Sequence, residues 1–312
     1  MTTTLIKIAA LAFMTIDHIG AYIPNAPMWL RWIGRLSSPL FFFCAAKSIV
    51  HTSDRKAYLK RLWTASIAMV LIESILPAFL KIYFGINIHG FDNNIFLTIF
   101  QGTLIASIIE STKNDGALRK KYLLRYAGWQ CVCFIVYLLS DIYDIFALIG
   151  IDTDLIPILD SLDRIILTAA GSVWNMEGSI ILMLQIIIFY SCGEDKKKLA
   201  IRYTAFCTGY FLVFVFQLGI KFGKALASLG LSENAATIAM LPLRALGIPT
   251  MVYESADGFA ASLFTVNYQW MMIFSLPIML LYNGRKGKGL KKLFYVYYPV
   301  HLAVLYIIAA VF

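Results

Sequence analysis

The stretch "TLIKIAALAFMTIDHIGAYIP", residues 4–24, is apolar apart from Lys7, two threonines and one adjacent pair, Asp17-His18. As an α-helix it would be about 31 Å long, enough to cross a hydrocarbon core of roughly 30 Å. It has one early lysine and no small-residue cleavage site after the apolar run. It is therefore expected to remain as a first membrane span rather than be removed as a leader.

The rest of the chain extends that reading. Of its 312 residues, 60% are hydrophobic and 14% charged, with mean hydropathy +0.74. A soluble domain carries about 25% charged residues. The composition excludes a soluble enzyme or a nucleic-acid module. It predicts an all-α fold, a polytopic transmembrane helical bundle forming one domain over 1–312. Apolar runs place spans near 4–24, 28–50, 62–84, 94–111, 122–140, 174–192, 203–222, 267–283 and 293–312. The mixed stretches 141–173 and 223–266 have room for short re-entrant or interfacial helices, and 237–252 for a further span. The range is nine to eleven spans. The five cysteines fall mostly inside apolar runs and imply no disulfide framework. Cys131 and Cys133, two apart on a helix, point in different directions and are not a metal pair. No metal is expected.

Charge sets the orientation. Lysine and arginine concentrate in four short segments: 51–62, 112–125, 193–202 and 284–292. In the nine-span arrangement all four lie on one side. Asp141, Asp144, Asp152, Asp154, Asp160 and Asp163 lie on the other. The positive-inside rule puts the N-terminus in the cytosol. The net charge of +9 is then a topology signal, not a nucleic-acid footprint.

At 1.5 Å per residue across a core of roughly 30 Å, His18 lies about 9 Å from the outer edge, Arg35 about 10 Å and Glu73 about 14 Å. Arg31 and Arg35, four apart, share a helix face. Asp17, His18, Arg31, Arg35 and Glu73 thus converge on the outer half of the bilayer. Such charges cost about 2.5–3.5 kcal/mol each on insertion scales, so they should face one another or a wet cavity. A histidine can act as general base with an acid fixing its tautomer. An arginine can stabilise an oxyanion. Neighbours on a helix diverge by about 100°. Asp17 therefore either orients His18 or pairs with Arg31 or Arg35. These parts suit acyl transfer. They equally suit a proton- or anion-coupled transporter, and a scaffold is a third reading.

Several blocks carry a family resemblance. "TIDHIGAY" (15–22), "LRWIGRLSSPLFFFCAAKSIVHTSDRKAYLKRL" (30–62), "NIFLTIFQG" (94–102) and "SLPIMLLYNGRKGKGLKKLFYVYYPVHLAVLY" (275–306) are similar, in that order, to motifs of the TraX family of bacterial membrane acetyltransferases. The resemblance implies a multi-pass enzyme of the bacterial cell membrane, akin to other transmembrane acyltransferases. It implies acetyl-CoA as cytosolic donor and an amine or hydroxyl acceptor at the outer side. His18 matches the first-span histidine of those enzymes, as base or acyl carrier. On this reading Arg55, Lys56, Asn283, Arg285, Lys286 and Lys288 are candidates for the donor's phosphates. Tyr298 and His301 would line the pantetheine path. Asn93, Asn94, Thr98 and Gln101 would shape the acceptor side. The expected partners are membrane lipids, the acyl-CoA donor and an extracytoplasmic acceptor.

Overall fold

Helix boundaries follow local chemistry. Thr2 caps α1 (Thr3–Tyr22) by accepting from the Leu5 amide at 3.3 Å, and Pro24 follows close after its end. Asp54 caps α4 (Arg55–Phe84), which ends on Gly85 in the left-handed region at φ 66°. Between them lie α2 (Trp29–Gly34) and α3 (Ser37–His51), which together make one 23-residue span. The remaining helices are α5 (Ile95–Ser111), α6 (Gly116–Ser140), α7 (Ile156–Ala169), α8 (Ile180–Cys192), α9 (Lys196–Val215), α10 (Leu218–Ser228) and α11 (Glu233–Ala245). A bent pair, Phe259–Val266 and Tyr268–Leu280, turns through 59° at Asn267, and α12 (Lys291–Val311) closes the chain. This computed structural model describes residues 1–85, 94–140, 156–250 and 259–311. Among them every regular element is helical, so the all-α expectation holds.

Each of the nine predicted spans falls on helix. Among the described residues five stretches are long and apolar enough to cross a membrane, or six with the bent pair. Helices α5 and α8 are apolar but shorter. The short lengths of α5 and α8 and the bend at Asn267 account for part of the difference. The predicted span 203–222 is shifted toward the N-terminus: α9 (Lys196–Val215) is long and apolar enough to cross, and the chain breaks after it at Gln217, a left-handed residue at φ 52°. The mixed stretches 141–173 and 223–266 do contain helices, α7 in the first and α11 in the second.

The chain divides into two compact units. The first comprises Met1–Lys47 with Ser179–Phe312, the second Ser48–Gly178. In the first, α1 packs on α2 and α12, while α9 packs on α8 and on the 3-10 segment Tyr268–Ser275. Asp195 caps α9 through the Lys197 and Lys198 amides at 2.9 and 3.0 Å. The Lys198 amide bond is the main reason its carboxyl sits below the ordinary range. In the second unit, α4 packs on α5 and α7, and α6 packs on α7.

A link that holds only the short 3-10 turn Val173–Asn175 joins α7 to α8, and several of its carbonyls are met by side chains. Trp63 Nε1 donates to Ala169 and Trp129 Nε1 to Ala170. Gln101 and Gln130 amides both donate to Gly171, which sits at φ 68°. Gln130 Oε1 accepts from the Val173 amide at 2.9 Å. Thr98 donates to the Glu177 carbonyl at 2.7 Å. Irregular backbone at membrane depth persists only when protein satisfies it. Gln130→Leu is expected to cost about 1–3 kcal/mol by leaving the buried Val173 amide unmet. Thermal unfolding in detergent measures this, and an unchanged midpoint would rule it out.

Candidate active site

The site lies within the first unit, where α1, α2, the bent pair and α12 meet. Asp17 and His18 are both buried on α1 and, being neighbours, diverge. Each finds different company.

Asp17 faces α2. Arg31 reaches its Oδ1 at 3.0 Å and Arg35 pairs with its Oδ2. Arg31 also donates to the Asp17 carbonyl at 3.0 Å, and Arg35 Nε to the Arg31 carbonyl at 3.2 Å. Glycine makes the approach possible. A Cβ on Gly34 would collide with the Asp17 side chain, and one on Gly20 would come within 2.8 Å of Leu30 Cβ. Small residues at helix crossings serve this purpose in membranes. The bent pair supplies the other wall. Gln269 accepts from Arg35 at 2.9 Å, Tyr268 Oη accepts from Arg31 at 3.3 Å, and both guanidiniums approach the Tyr268 ring. Of the two alternatives for Asp17, pairing with the arginines is the one observed.

His18 faces α12 instead. Its Nδ1 is 2.7 Å from His301 Nε2, and the rings stack at 5.0 Å. His301 Nδ1 is 2.8 Å from the Tyr297 carbonyl. Tyr298 meets both imidazoles edge-on, at 6.3 and 5.7 Å between centroids, and Tyr22 stands 6.0 Å from His18. Tyr297 Oη bonds Thr15 Oγ1 at 2.7 Å, which ties α12 to α1. His301, expected along the donor path, is instead the direct partner of His18.

Glu73, Asn94, Thr98, Gln101 and Arg55 have partners within the second unit. Glu73 is in the second unit, where Arg164 of α7 pairs with its Oε2 at 3.0 Å. Asn94 caps α5 and donates to the Ser66 carbonyl. Thr98 and Gln101 hold the α7–α8 link, and Gln101 also accepts from Tyr126 at 2.9 Å. All three are buried with their polar groups used inside that unit. Asn93 lies outside the described residues. Arg55 donates to the Ile49 carbonyl and stands 3.6 Å from Glu110; Lys56 is exposed.

Residues 283–289 pack against the start of α1. The Asn283 amide donates to the Met1 carbonyl at 3.0 Å, and from Arg285 on it is carbonyls that meet the start of α1. Arg285 and Lys286 carbonyls accept from the Thr3 and Thr4 amides at 2.9 and 3.1 Å, satisfying the N-terminus of α1. Thr4 Oγ1 adds bonds to the Lys286 and Lys288 carbonyls. Asn283 Oδ1 accepts from the Arg285 amide, and a Cβ on Gly287 would meet Thr2 Oγ1 at 2.6 Å. The side chains of Arg285, Lys286 and Lys288 remain exposed.

A family model described as TraX protein matches residues 2–151 and 118–309. The chain belongs to the TraX family. The two matched stretches include every residue of the Asp17–Arg31–Arg35 and His18–His301 groups, so the site of this TraX chain falls inside the family's own bounds. No curated protein and no solved structure gives a match. Tyr268, Gln269, Tyr297 and Arg164 make these contacts without having been among the candidates. A polar run, Asn267-Tyr268-Gln269, inside an apolar span was a usable sign for two of them.

Proposed function

We propose that this TraX-family protein is a membrane-embedded acetyltransferase. It takes acetyl from cytosolic acetyl-CoA and transfers it to an amine or hydroxyl at the outer side of the membrane. The observation that carries the reading is the pair of groups on consecutive residues of α1: a buried histidine with an imidazole partner, and a carboxylate holding two arginines. These are a base and a source of oxyanion stabilisation in one unit. The four basic segments support a cytosolic N-terminus, with Arg285, Lys286 and Lys288 exposed at the start of α1 to meet the donor's phosphates.

In the proposed step His18 takes the proton as the acceptor's nitrogen or oxygen bonds to the thioester carbon. The carbon–sulfur bond then breaks, and the proton passes from His18 to the thiolate of CoA. The products are the acetylated acceptor and free CoA. Arg35 or Arg31 stabilises the tetrahedral oxyanion.

The test is acetyl-CoA binding and its slow hydrolysis by purified protein, wild type beside His18→Ala. Binding by both, with hydrolysis by wild type alone, is the expected outcome. Binding by neither overturns the donor assignment and favours a transporter, to be checked by uptake into liposomes without acyl-CoA. Equal hydrolysis by both removes His18 from the chemistry.

A further inference from the structure

We infer that His301 is a positioning residue that fixes the tautomer of His18 and leaves His18 Nε2 as the basic nitrogen. The role rests on the acetyltransferase reading; the tautomer itself rests on hydrogen-bond geometry alone.

A carbonyl oxygen only accepts. The Tyr297 carbonyl, 2.8 Å from His301 Nδ1, therefore requires the hydrogen on that nitrogen. In the neutral ring the opposite nitrogen, Nε2, is then an acceptor. That atom lies 2.7 Å from His18 Nδ1. His18 Nδ1 must donate to it, and the lone pair of His18 remains on Nε2. The chain of bonds runs from His18 through His301 to the backbone of α12, and its direction is set at the backbone end.

The surroundings hold this order in place. His301 is stacked on Tyr297 at 5.0 Å, and Tyr297 is itself tied to Thr15 one turn before His18. Asp17, the residue next to His18, is committed to Arg31 and Arg35 and does not compete for the ring. Among the described residues the other charged groups that act on His18 are those two guanidiniums, which cannot accept a hydrogen bond. The usual carboxylate behind a catalytic histidine is here replaced by a neutral imidazole backed by a carbonyl. When His18 takes a proton on Nε2, its Nδ1–H remains donated to His301 and the added positive charge faces a lone pair. No proton has to leave the pair sideways. His301 does not touch the reacting atoms; it acts through His18.

The chain has only four histidines, so nitrogen-15 labelling of histidine gives a spectrum that single substitutions can assign. At about pH 8, where an ordinary imidazole is neutral, wild-type His18 is expected to carry its hydrogen on Nδ1. His301→Gln keeps an acceptor oxygen near the Nε2 position; His301→Leu does not. The expected result is a fall in kcat of roughly 10²-fold for His301→Leu with KM little changed, and recovery to within about tenfold for His301→Gln. A His18 hydrogen on Nε2 in the wild type would overturn the proposal, as would a fully active His301→Leu. If wild type neither binds nor hydrolyses acetyl-CoA while the Nδ1–H tautomer is seen and is lost in His301→Leu, the tautomer assignment stands and the acetyltransferase reading fails.

Discussion

Replacing Asp17 by alanine is expected to destabilise the folded protein by about 3 kcal/mol, because it strips the carboxylate from two guanidiniums held one turn apart in an apolar setting. Removing one partner of a buried ion pair costs roughly 3–5 kcal/mol. The arginine side chains keep 22% and 18% of their exposure, which places this case at the lower end. Asp17→Asn keeps an acceptor for one guanidinium and loses only the charge, so it should fall between alanine and wild type. The double variant Asp17→Ala with Arg35→Leu restores the net charge of the cluster and should recover part of the loss. Denaturant titration of the purified protein in micelles measures all three. An Asp17→Ala variant within about 1 kcal/mol of wild type would contradict the ion-cluster assignment.

The same series separates two roles for Asp17. If it holds the arginines, activity and stability fall together across the variants, and the double variant regains both in part. If it instead tuned His18, Asp17→Asn would alter the pH–rate profile while leaving stability nearly unchanged. The observed contacts favour the first pattern, since both carboxylate oxygens point to α2 and the His18 ring points to α12.

Much of the Asp17–His18 site could be read from depth alone. A helix advances a fixed distance per residue, so counting from each span edge put His18 and Arg35 at one level, with Arg31 about one turn away along the same helix. The i,i+4 spacing put both arginines on one face. Depth says nothing about azimuth. Glu73 shared a similar depth, yet its side chain meets Arg164, a residue of the mixed stretch 141–173 whose helix had no clear apolar signature. The same limit hid the partner of His18: His301 was a candidate in the last span, but only the crossing of α1 and α12 brings the rings together. Asn94, Thr98 and Gln101 looked like acceptor contacts because polar groups in a span invite that reading. Thr98 and Gln101 bond carbonyls of the link between α7 and α8, and Asn94 caps α5 and bonds the Ser66 carbonyl; the first two contacts depend on where a non-local segment returns. The loop 283–289 was legible as basic and glycine-rich. Which of its backbone groups faced inward was not, because that depends on α1 presenting the Thr3 and Thr4 amides to it.

Glu73 and Arg164 provide the second large effect. Glu73 is fully buried at its side chain and Arg164 is 20% exposed, with 3.0 Å between them. Glu73→Ala takes the compensating carboxylate from a guanidinium inside the second unit and is expected to cost about 3–5 kcal/mol. Replacing both by leucine removes the charges together. Apolar substitutes for a whole buried pair are often neutral or stabilising, so the double variant should lie within about 1 kcal/mol of wild type. The Glu73→Leu and Arg164→Leu single variants complete the cycle, and both should be far less stable than the double. This cycle also decides the role of Glu73. As an ion-pair partner it is dispensable once Arg164 is removed with it, and the double variant should hydrolyse acetyl-CoA at close to the wild-type rate. A double variant that folds as stably as wild type, still binds acetyl-CoA and has lost hydrolysis would return Glu73 to the catalytic set.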